Sequence, residues 1–410
     1  MRVGITMGLT KGLSIFSNGL NQNVLMFYDL VKHLPSTTDV KLLDLYARPK
    51  SEYKEHFTYL EGYDIMYWDD DFIHNQFDVI VVFGITPDDA KLRAFKKGSS
   101  DKKIVAYKGG NVAVMQMEHI VYHNNVKGFS QDGKELELNG APIIEISEFD
   151  EMWMVPQQEF HNKDIFEIHH KTKSRSVPFI WSPKFIEQQI ALSRSHNPDI
   201  RITFDERAND IEKWRVASME PNKSVLKNMY PLIYGFEHAY DLMPSLFEKF
   251  RICNSLDQAK NNYLIRLVHE RAFYQAGLLQ LAPRWSVVKL LAEEADAILS
   301  HQWGNPLNYA YLDTVYLGYP LVHNAHLCQD IGFYYEDWKM KDAGSLLVKA
   351  LVERKSDVEY MNRHRTTLKR YTIENEYMLE QYQLLFDNLW NKNKIDNTKY
   401  EWKNNSLVAC

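Results

Sequence analysis

Cysteine is scarce in this sequence, and long apolar runs are absent. The three cysteines, Cys253, Cys328 and Cys410, are scattered, so they provide neither a disulfide framework nor the ligand spacing of a zinc site. No window approaches the roughly 18 uninterrupted apolar residues of a membrane-spanning helix. The apolar run within residues 1–7 is too short for a signal peptide. We therefore expect a cytoplasmic protein with reduced cysteines and no membrane span.

The sequence also lacks an excess of positive charge. The formal net charge of −6 argues against a protein that coats nucleic acid through bulk electrostatics, although it leaves room for a local basic cleft. Basic residues cluster at 169–175 and 363–370, and a solvated face is the simpler interpretation of each cluster. Because 45% of the 410 residues are apolar and 25% are charged, we expect two soluble domains of ordinary size.

The first part of the chain alternates strand-like and helix-like segments, which predicts a parallel, doubly wound sheet. Its strand-like runs are residues 2–7, 40–45, 79–83 and 103–107, followed by two final strands at 149–156 and 177–183. Asp132-Gly133 separates two short runs, so an inserted hairpin is expected at residues 131–140. A polar stretch at 193–209 would connect this half to the next.

The second half repeats the pattern and predicts a second α/β domain. Its strand-like runs are residues 214–219, 250–253, 264–268, 297–299 and 321–322, and its helix-like runs are 225–240, 286–294 and 307–317. Residues 343–391 have a strongly helical pattern. We therefore expect α/β domains at 1–192 and 213–345, a linker at 193–212, and C-terminal helices at 346–410 that pack back across the domains.

The loop between the first predicted strand and the first predicted helix has ligand-binding character. It carries Gly19, Asn21 and Gln22. Glycine lets backbone approach a ligand closely, and side-chain amides suit sugar hydroxyls or phosphates. The loop lacks the glycine pattern of a dinucleotide-binding turn, so taken alone it is a weak signal.

Residues 300–324 form a second strand-loop-helix unit, and the rest of the prediction is organised around it. Loops at the carboxyl ends of parallel strands bind ligands, and helix N-termini favour anions. Pro306 has no N–H, so Leu307 and Asn308 are the predicted backbone donors to a phosphate. An ordinary buried βαβ unit is the alternative interpretation.

Two facing Rossmann-like domains with a C-terminal helical segment resemble the GT-B architecture of glycosyltransferases, so the predicted fold class is α/β of the GT-B type. Many GT-B enzymes carry an acid seven residues before the proline of a Gly-x-Pro, and a second acid eight residues earlier. Here Asp313 precedes Gly318-Tyr319-Pro320 at the first of these positions, and Asn305 occupies the second. The resemblance implies a ribose contact for Asp313 and a sugar contact at Asn305, where the usual acid is missing.

The chain is also similar to a family of bacterial and phage proteins, mostly of unknown function, that are regarded as GT-B-like glycosyltransferases. The matching stretches are residues 2–5, 17–23, 177–181, 220–227, 300–303 and 308–324. The similarity implies an acceptor-binding first domain, a second domain that binds a nucleotide sugar such as a UDP-sugar, and no further cofactor.

Basic and amide side chains in the second half are candidates for holding this donor. Lys227 is expected one or two turns into the first helix of the second domain, where it would neutralise the donor diphosphate. Asn222 could cap that helix or bind phosphate. Arg266 and His269 follow a predicted strand, and either could contact the base or the diphosphate.

The acceptor base of a glycosyl transfer is expected in the first domain, and the sequence leaves its identity open. The candidates are Glu118 with His119, His123, Asp150 with Glu151, and the acidic run at residues 69–71. That run lies in the first half rather than beside the expected donor, and no Asp-x-Asp signature occurs in a donor context. No essential metal is therefore predicted.

The resemblance also suggests an acceptor. This chain looks like proteins suspected of transferring arabinose to 5-hydroxymethylcytosine in phage DNA, which would place it in the host cytoplasm and make double-stranded DNA its partner. Lys171, Lys173 and Arg175 are the predicted phosphate contacts. The alternatives are a transferase of bacterial surface glycan synthesis and a non-catalytic sugar-nucleotide binding protein, which Asn305 in place of an acid would favour.

Overall fold

Two parallel sheets, one in each half of the chain, form the framework of the protein. The computed structural model describes residues 1–12, 14–17, 19–69, 71–97, 99–122, 128–129, 135–136, 149–390, 400–403 and 406–409. The first sheet has seven strands and the second has six, and all neighbouring strands in both sheets run parallel. The sequence-based prediction of two α/β halves is therefore confirmed.

The first sheet has the strand order β3-β2-β1-β4-β5-β8-β9. The strands of this half are β1 Arg2–Thr6, β2 Asp39–Asp44, β3 Ile65–Tyr67, β4 Val79–Val82, β5 Lys103–Lys108, the short hairpin strands β6 Gly128–Phe129 and β7 Glu135–Leu136, β8 Glu151–Met154 and β9 Lys173–Ser176. All four residues of β4 are buried, as expected for a strand covered on both faces. Most of the hairpin predicted at 131–140 lies outside the described residues.

One predicted strand of this half is wrong. Residues 177–182 are not in a strand, and the edge strand is β9 instead. Pro178 and Pro183 interrupt the segment and cannot donate to a strand ladder. The backbone N–H of Trp181 donates to the backbone carbonyl of Tyr371 in the C-terminal region, 2.8 Å away. The apolar run is thus buried as an extended connection beside the C-terminal helices.

The second sheet has the strand order β12-β11-β10-β13-β14-β15. Its strands are β10 Trp214–Ser218, β11 Phe247–Ile252, β12 Leu279–Leu281, β13 Ala297–Leu299, β14 Leu321–His323 and β15 Phe333–Tyr334. The strand predicted at 264–268 is wrong, because these residues belong to a helix. Asn261 caps that helix by accepting the Tyr263 and Leu264 N–H groups, and Leu264 and Val268 bury one face at i,i+4 spacing.

Helices cover both sheets, and the last described helix ends at Asp387, so the prediction of helices over the whole of 346–410 is wrong for the two strands described after it. In the first half they are α1 Gly19–His33, α2 Lys50–His56, α3 Ile73–Gln76, α4 Asp89–Lys96, α5 Val112–Tyr122, α6 Glu159–His170 and α7 Lys184–His196, followed by α8 Phe204–Arg207. In the second half they are α9 Tyr230–Leu242, α10 Asn262–His269, α11 Ala272–Gln275, α12 Val287–Glu293 and α13 Tyr309–Tyr316, followed by α14 Met340–Arg354, α15 Tyr360–Leu368 and α16 Glu376–Asp387. The last two described strands, β16 Tyr400–Lys403 and β17 Ser406–Ala409, pair antiparallel.

The C-terminal helices contact both halves of the molecule. Helix α14 packs closely on α9, where a Cβ at Gly344 would lie 2.5 Å from the carbonyl oxygen of Gly235. Helix α16 places the Tyr382 hydroxyl 3.1 Å from that of Tyr107 in the first sheet. No helix within the described ranges is both long and apolar enough to span a membrane.

Candidate functional site

A cavity of about 220 Å³ lies between the two domains, at the carboxyl ends of strands in the second sheet. We call it the interdomain cleft. The first domain contributes the start of α1 and the turn before it, and the second domain contributes the loops after β10, β11 and β12 and the start of α13. The lining residues are Phe16, Gly19, Gln22, Met219, Pro221, Lys227, Asn254, Arg284, Trp285, Ser286, Val287, Asn308, Tyr309, Ala310 and Asp313.

Asp313 lies in the second turn of α13 and reaches across to the first domain. The indole N–H of Trp181 donates to Asp313 Oδ1 over 2.8 Å. Burial raises the pKa of the Asp313 carboxyl to about 7, although the Trp181 hydrogen bond opposes that shift. The site therefore holds an acid whose charged form is poorly compensated in the free protein, and a ligand that donates hydrogen bonds would stabilise that form.

Lys227 also lines the cleft and brings a cationic side chain to it. The prediction that it lies inside a helix is wrong, because α9 begins at Tyr230 and Lys227 belongs to the loop after β10. Its N–H donates to the Ser224 carbonyl and its carbonyl accepts from Asn222, which fixes the loop backbone. Burial lowers the pKa of the Lys227 amine, and the nearby Glu220 carboxylate opposes this shift.

Glu220 belongs to a buried polar cluster behind Lys227. Its carboxylate accepts from the Ser300 hydroxyl, and the Ser300 Oγ lies 2.7 Å from the Tyr311 hydroxyl. Burial raises the pKa of Glu220, while attraction to Lys227 lowers it. Because Glu220 follows β10 and Ser300 follows β13, the cluster ties together two strand ends at the wall of the cleft.

Two asparagines, one in the loop after β10 and one in the loop after β11, have left-handed backbone conformations. Asn222 has φ 55° and Asn254 has φ 54°, a region that non-glycine residues seldom occupy. The loops are cross-linked, since Asn222 Nδ2 donates to the Cys253 carbonyl at 2.9 Å and Asn254 Nδ2 to the Met219 carbonyl at 3.0 Å. Asn222 Oδ1 also accepts from the Met229 N–H ahead of α9. Its side chain is thus committed to the loop, whereas Asn254 lines the cleft.

The N-terminus of α13 borders the cleft, but the residues predicted to bind the ligand there differ in their positions. Asn308 lines the cleft and is the N-cap, accepting from the Ala310 N–H. The prediction that the Leu307 backbone N–H donates to a phosphate is wrong. That N–H donates to the Asn305 carbonyl at 2.9 Å, and the Leu307 side chain is buried. The backbone N–H of Asn305 donates to Gln302 Oε1 at 2.6 Å, and Asn305 is not among the residues lining the cavity.

Of the first-domain donor candidates, Gly19 and Gln22 line the cleft and Asn21 does not. A Cβ at Gly19 would lie 3.5 Å from the Tyr309 ring, so the two domains are in contact at this point. Gln22 Nε2 donates to the Ile15 carbonyl at 2.8 Å, which fixes the turn before α1. The Asn21 amide is buried and donates to the Gly8 carbonyl at 3.1 Å, so it supports the loop from behind.

Arg266 and His269 lie away from the cleft. Both are exposed on α10, and neither lines the cavity. Their assignment as donor contacts relied on a strand at 264–268, whose carboxyl end would have pointed to the ligand edge of the sheet. Because the segment is a surface helix, that geometric reason disappears.

Two of the candidate acceptor bases, Glu118 and Asp150, are described and do not line the cleft. Glu118 bridges the domains instead, accepting from Ser224 Oγ at 2.9 Å and from the Val225 N–H at 2.7 Å. Asp150 accepts the Ile104 N–H at 2.7 Å and pairs with Lys96 at 3.0 Å. Since Asp150 directly precedes β8, it lies at the amino ends of the strands, opposite the ligand edge. The side chain of His119, together with His123 and Asp70, falls outside what the structure describes.

The predicted nucleic-acid contacts also lie at the amino edge of the first sheet. Lys171 ends α6 in a left-handed conformation with φ 54°, and Lys173 begins β9. Arg175 is already paired, with its Nε 3.0 Å and 2.9 Å from the two carboxylate oxygens of Glu151. Only part of this positive charge is therefore available, because Arg175 is paired with Glu151.

Sequence reasoning missed the loop after β12, which supplies Arg284, Trp285 and Ser286 to the cleft. The Trp285 indole N–H is buried and, among the described residues, has no hydrogen-bond partner. Such a donor in a cavity wall favours a polar ligand. The signal that could have revealed this loop is the short Leu279–Leu281 strand, followed by Pro283 and by Ser286 at the N-cap of α12. In the described part of the chain no group of three or more His, Cys, Asp or Glu side chains could hold a metal ion.

Solved structures share this architecture at low sequence identity. A glycosyltransferase from Rickettsia africae has 10% identity and a TM-score of 0.50, with 96% of this chain and 99% of that chain covered. The OtsA apo structure has 11% identity and a TM-score of 0.52, with 96% and 99% covered. A mutant of S. aureus TarM has 12% identity and a TM-score of 0.46, and the match covers 77% of this chain and 55% of TarM. The predicted GT-B fold is confirmed.

The sequence comparisons identify a family without a described activity. No curated protein matches the chain. One family model matches residues 3–386, almost the whole of both domains and the C-terminal helices. The chain therefore belongs to the family described as Protein of unknown function (DUF2827).

Proposed function

We propose that the protein is a glycosyltransferase that binds a UDP-sugar in the interdomain cleft. The observation that carries this proposal is the convergence of Lys227, the N-terminus of α13 and Asp313 on one cavity at the carboxyl ends of the second sheet. Open parallel sheets bind ligands at this edge. A nucleotide sugar has the matching groups in order: a diphosphate for the cation and helix N-terminus, and ribose hydroxyls for the carboxylate.

Lys227 is the residue assigned to the diphosphate. Its ammonium group lies in a partly buried wall where attraction to phosphate is screened less than in water. When the sugar leaves, negative charge grows on the departing diphosphate, and a fixed cation stabilises that charge. Arg284 lines the same cavity and adds a second positive charge.

Asp313 is the residue assigned to the ribose. Trp181 occupies Oδ1, which leaves Oδ2 and the remaining lone pairs for ribose hydroxyls. Those hydroxyl groups would provide the hydrogen bonds that the buried carboxylate lacks. Asn305 replaces the acid that many GT-B enzymes place near the sugar, and because it does not line the cleft, no sugar contact is assigned to it.

Calorimetric titration with UDP, followed by a turnover assay with UDP-glucose and UDP-arabinose, tests the proposal. We expect UDP binding, together with release of UDP from at least one of the two donors. UDP binding without hydrolysis or transfer of either sugar would favour the non-catalytic binding protein. Absence of UDP binding would refute the assignment of the cleft.

Arabinose transfer to 5-hydroxymethylcytosine in DNA is the finer hypothesis, and transfer to a bacterial surface glycan is its alternative. The DNA hypothesis has little support from the described cations, because Lys171 and Lys173 lie at the amino edge of the first sheet and Arg175 is paired with Glu151. Nucleoside mass spectrometry of hydroxymethylated DNA incubated with the protein and both donors provides the test. Unchanged nucleosides would remove DNA as the acceptor.

A further inference from the structure

A second cavity, of about 600 Å³, lies in the first domain beside the interdomain cleft. We call it the side groove. Its walls come from the turn before α1, from the segment that joins α2 to β3, and from α7. The side chains that define its chemistry are those of Phe16, His56, Tyr59, Glu61, Gln188 and Leu192.

The side groove adjoins the interdomain cleft at Phe16, which lines both cavities. Phe16 belongs to the 3₁₀ turn Ile15–Ser17, and Gln22 fixes that turn by donating to the Ile15 carbonyl at 2.8 Å. Gln22 itself lines the cleft. A molecule in the side groove and a donor in the cleft would therefore both lie against Phe16.

The lining of the side groove is aromatic and polar but poor in positive charge. Phe16 and Tyr59 are half-buried, and the Tyr59 hydroxyl is held by Asn21 while burial raises its pKa. Gln188 provides an exposed amide. Among the described residues that line the groove there is no lysine or arginine, and the titratable side chains there besides Tyr59 are His56 and Glu61.

This composition discriminates between classes of acceptor. Nucleic acids and anionic lipid surfaces are held by several lysines or arginines, because each phosphate brings a negative charge. A carboxylate such as that of Glu61 would repel them. Uncharged sugars instead pack their C–H faces on aromatic rings and exchange hydrogen bonds with amides, hydroxyls and carboxylates. The lining of the side groove fits this second class.

We propose that the side groove is the acceptor site and that it binds an uncharged carbohydrate chain. The inference rests on the proposed function, because it assigns the second substrate of the same transfer. An acceptor hydroxyl oxygen would form a bond to the anomeric carbon of the donor sugar, while the bond from that carbon to the diphosphate breaks. The electron pair of the broken bond leaves with UDP, and the hydroxyl proton passes to solvent.

Binding of the full-length protein to a printed panel of neutral oligosaccharides, in the presence of UDP, tests the proposal. We expect a subset of the panel to bind, and Tyr59→Ala and Gln188→Ala each to weaken that binding by roughly tenfold, which corresponds to ~1.4 kcal/mol. Gln329→Ala is the matched control, since Gln329 is exposed in the second domain outside the groove. UDP affinity, measured in parallel, should be unchanged in all three variants and shows that each is folded.

The outcomes separate this proposal from the function on which it rests. If UDP binds but no neutral oligosaccharide does, or if both groove variants bind the panel as the wild type does, the acceptor assignment is overturned while the donor site stands. Preferential binding of a short DNA duplex containing 5-hydroxymethylcytosine, weakened by the groove variants, would also overturn it. If UDP itself fails to bind, the proposed function is refuted, and the acceptor assignment that rests on it is refuted as well.

Discussion

Asp313→Asn should make the free protein more stable and its complex with UDP weaker. Asparagine keeps a carbonyl oxygen for the Trp181 N–H, which lies 2.8 Å from Asp313 Oδ1, so the packing is preserved. What changes is the charge of a buried group. The two opposite effects arise from one cause, because the negative charge that burial makes unfavourable in the free protein is the charge that the ribose hydroxyls would stabilise.

The stability effect follows from the pKa of Asp313, which burial raises from 3.8 to about 7. Between these values the folded protein keeps a proton that the unfolded chain has lost, so the free energy of unfolding falls as pH rises through this window. A shift of about three units is worth at most ~4 kcal/mol. Because the carboxyl is partly exposed to the cleft, we expect Asp313→Asn to stabilise the protein by ~1–3 kcal/mol above pH ~7 and by little near pH ~4.

The binding effect has the opposite sign. Replacing the acceptor of the ribose hydroxyls should weaken UDP binding by roughly 1–3 kcal/mol above pH ~7. In the wild type, UDP affinity should rise as pH passes through about 7, because ionised Asp313 is the better acceptor. In the asparagine variant this dependence should disappear.

Urea unfolding and calorimetric titration with UDP, each at acidic and alkaline pH, measure both effects. Asp150→Asn is the matched control, since it breaks an ion pair to Lys96 at the far edge of the first sheet. It should lower stability and leave UDP affinity unchanged. Equal UDP affinity for wild type and Asp313→Asn would remove Asp313 from the donor site, and equal stability at alkaline pH would refute the reasoning from burial.

Two further substitutions test separate parts of the geometry. Lys227→Ala should weaken UDP binding by ~1.5–3 kcal/mol and leave uridine binding unchanged, because uridine has no diphosphate. Titration with both ligands checks this against Lys349→Ala, an exposed lysine on α14, and equal losses for UDP and uridine would contradict it. Gly304→Ala should destabilise the protein by ~1–3 kcal/mol, because Gly304 has φ 65° and a Cβ would lie 2.5 Å from the His161 ring. Adding His161→Ala should remove the part of this destabilisation that comes from the steric clash and leave the part that comes from the positive φ. If a double-mutant cycle of unfolding free energies shows no coupling between the two substitutions, the contact is disproved.

The sequence predicted secondary structure best where a single hydrophobic pattern extended over a whole strand or helix. The apolar runs at 79–83 and 297–299 became buried central strands, because both faces of a parallel strand are covered. The apolar run at 264–268 was wrongly predicted to be a strand, because a short apolar run alone does not distinguish a buried strand from a helix with one buried face. Leu264 and Val268 are spaced for a helix as well as for a buried segment, and the Asn261 cap decides between them.

The site was less predictable, because its residues meet only through tertiary structure. Asp313 and Lys227 were found from local spacing, yet Trp181 and Arg284 come from segments that sequence position does not connect to them. The bond between Trp181 and Asp313 joins residues 132 positions apart. A short strand such as Leu279–Leu281 leaves too weak a pattern to reveal the loop that follows it.

The contacts between the domains explain how the interdomain cleft and the side groove could serve one reaction of two substrates. Trp181 holds Asp313 from the first domain, and Glu118 of the same domain holds the loop that ends at Lys227 through Ser224. Both proposed donor groups are therefore positioned by the domain that also contains the side groove. The contacts that position the ribose group and the diphosphate group thus depend on how the two domains meet.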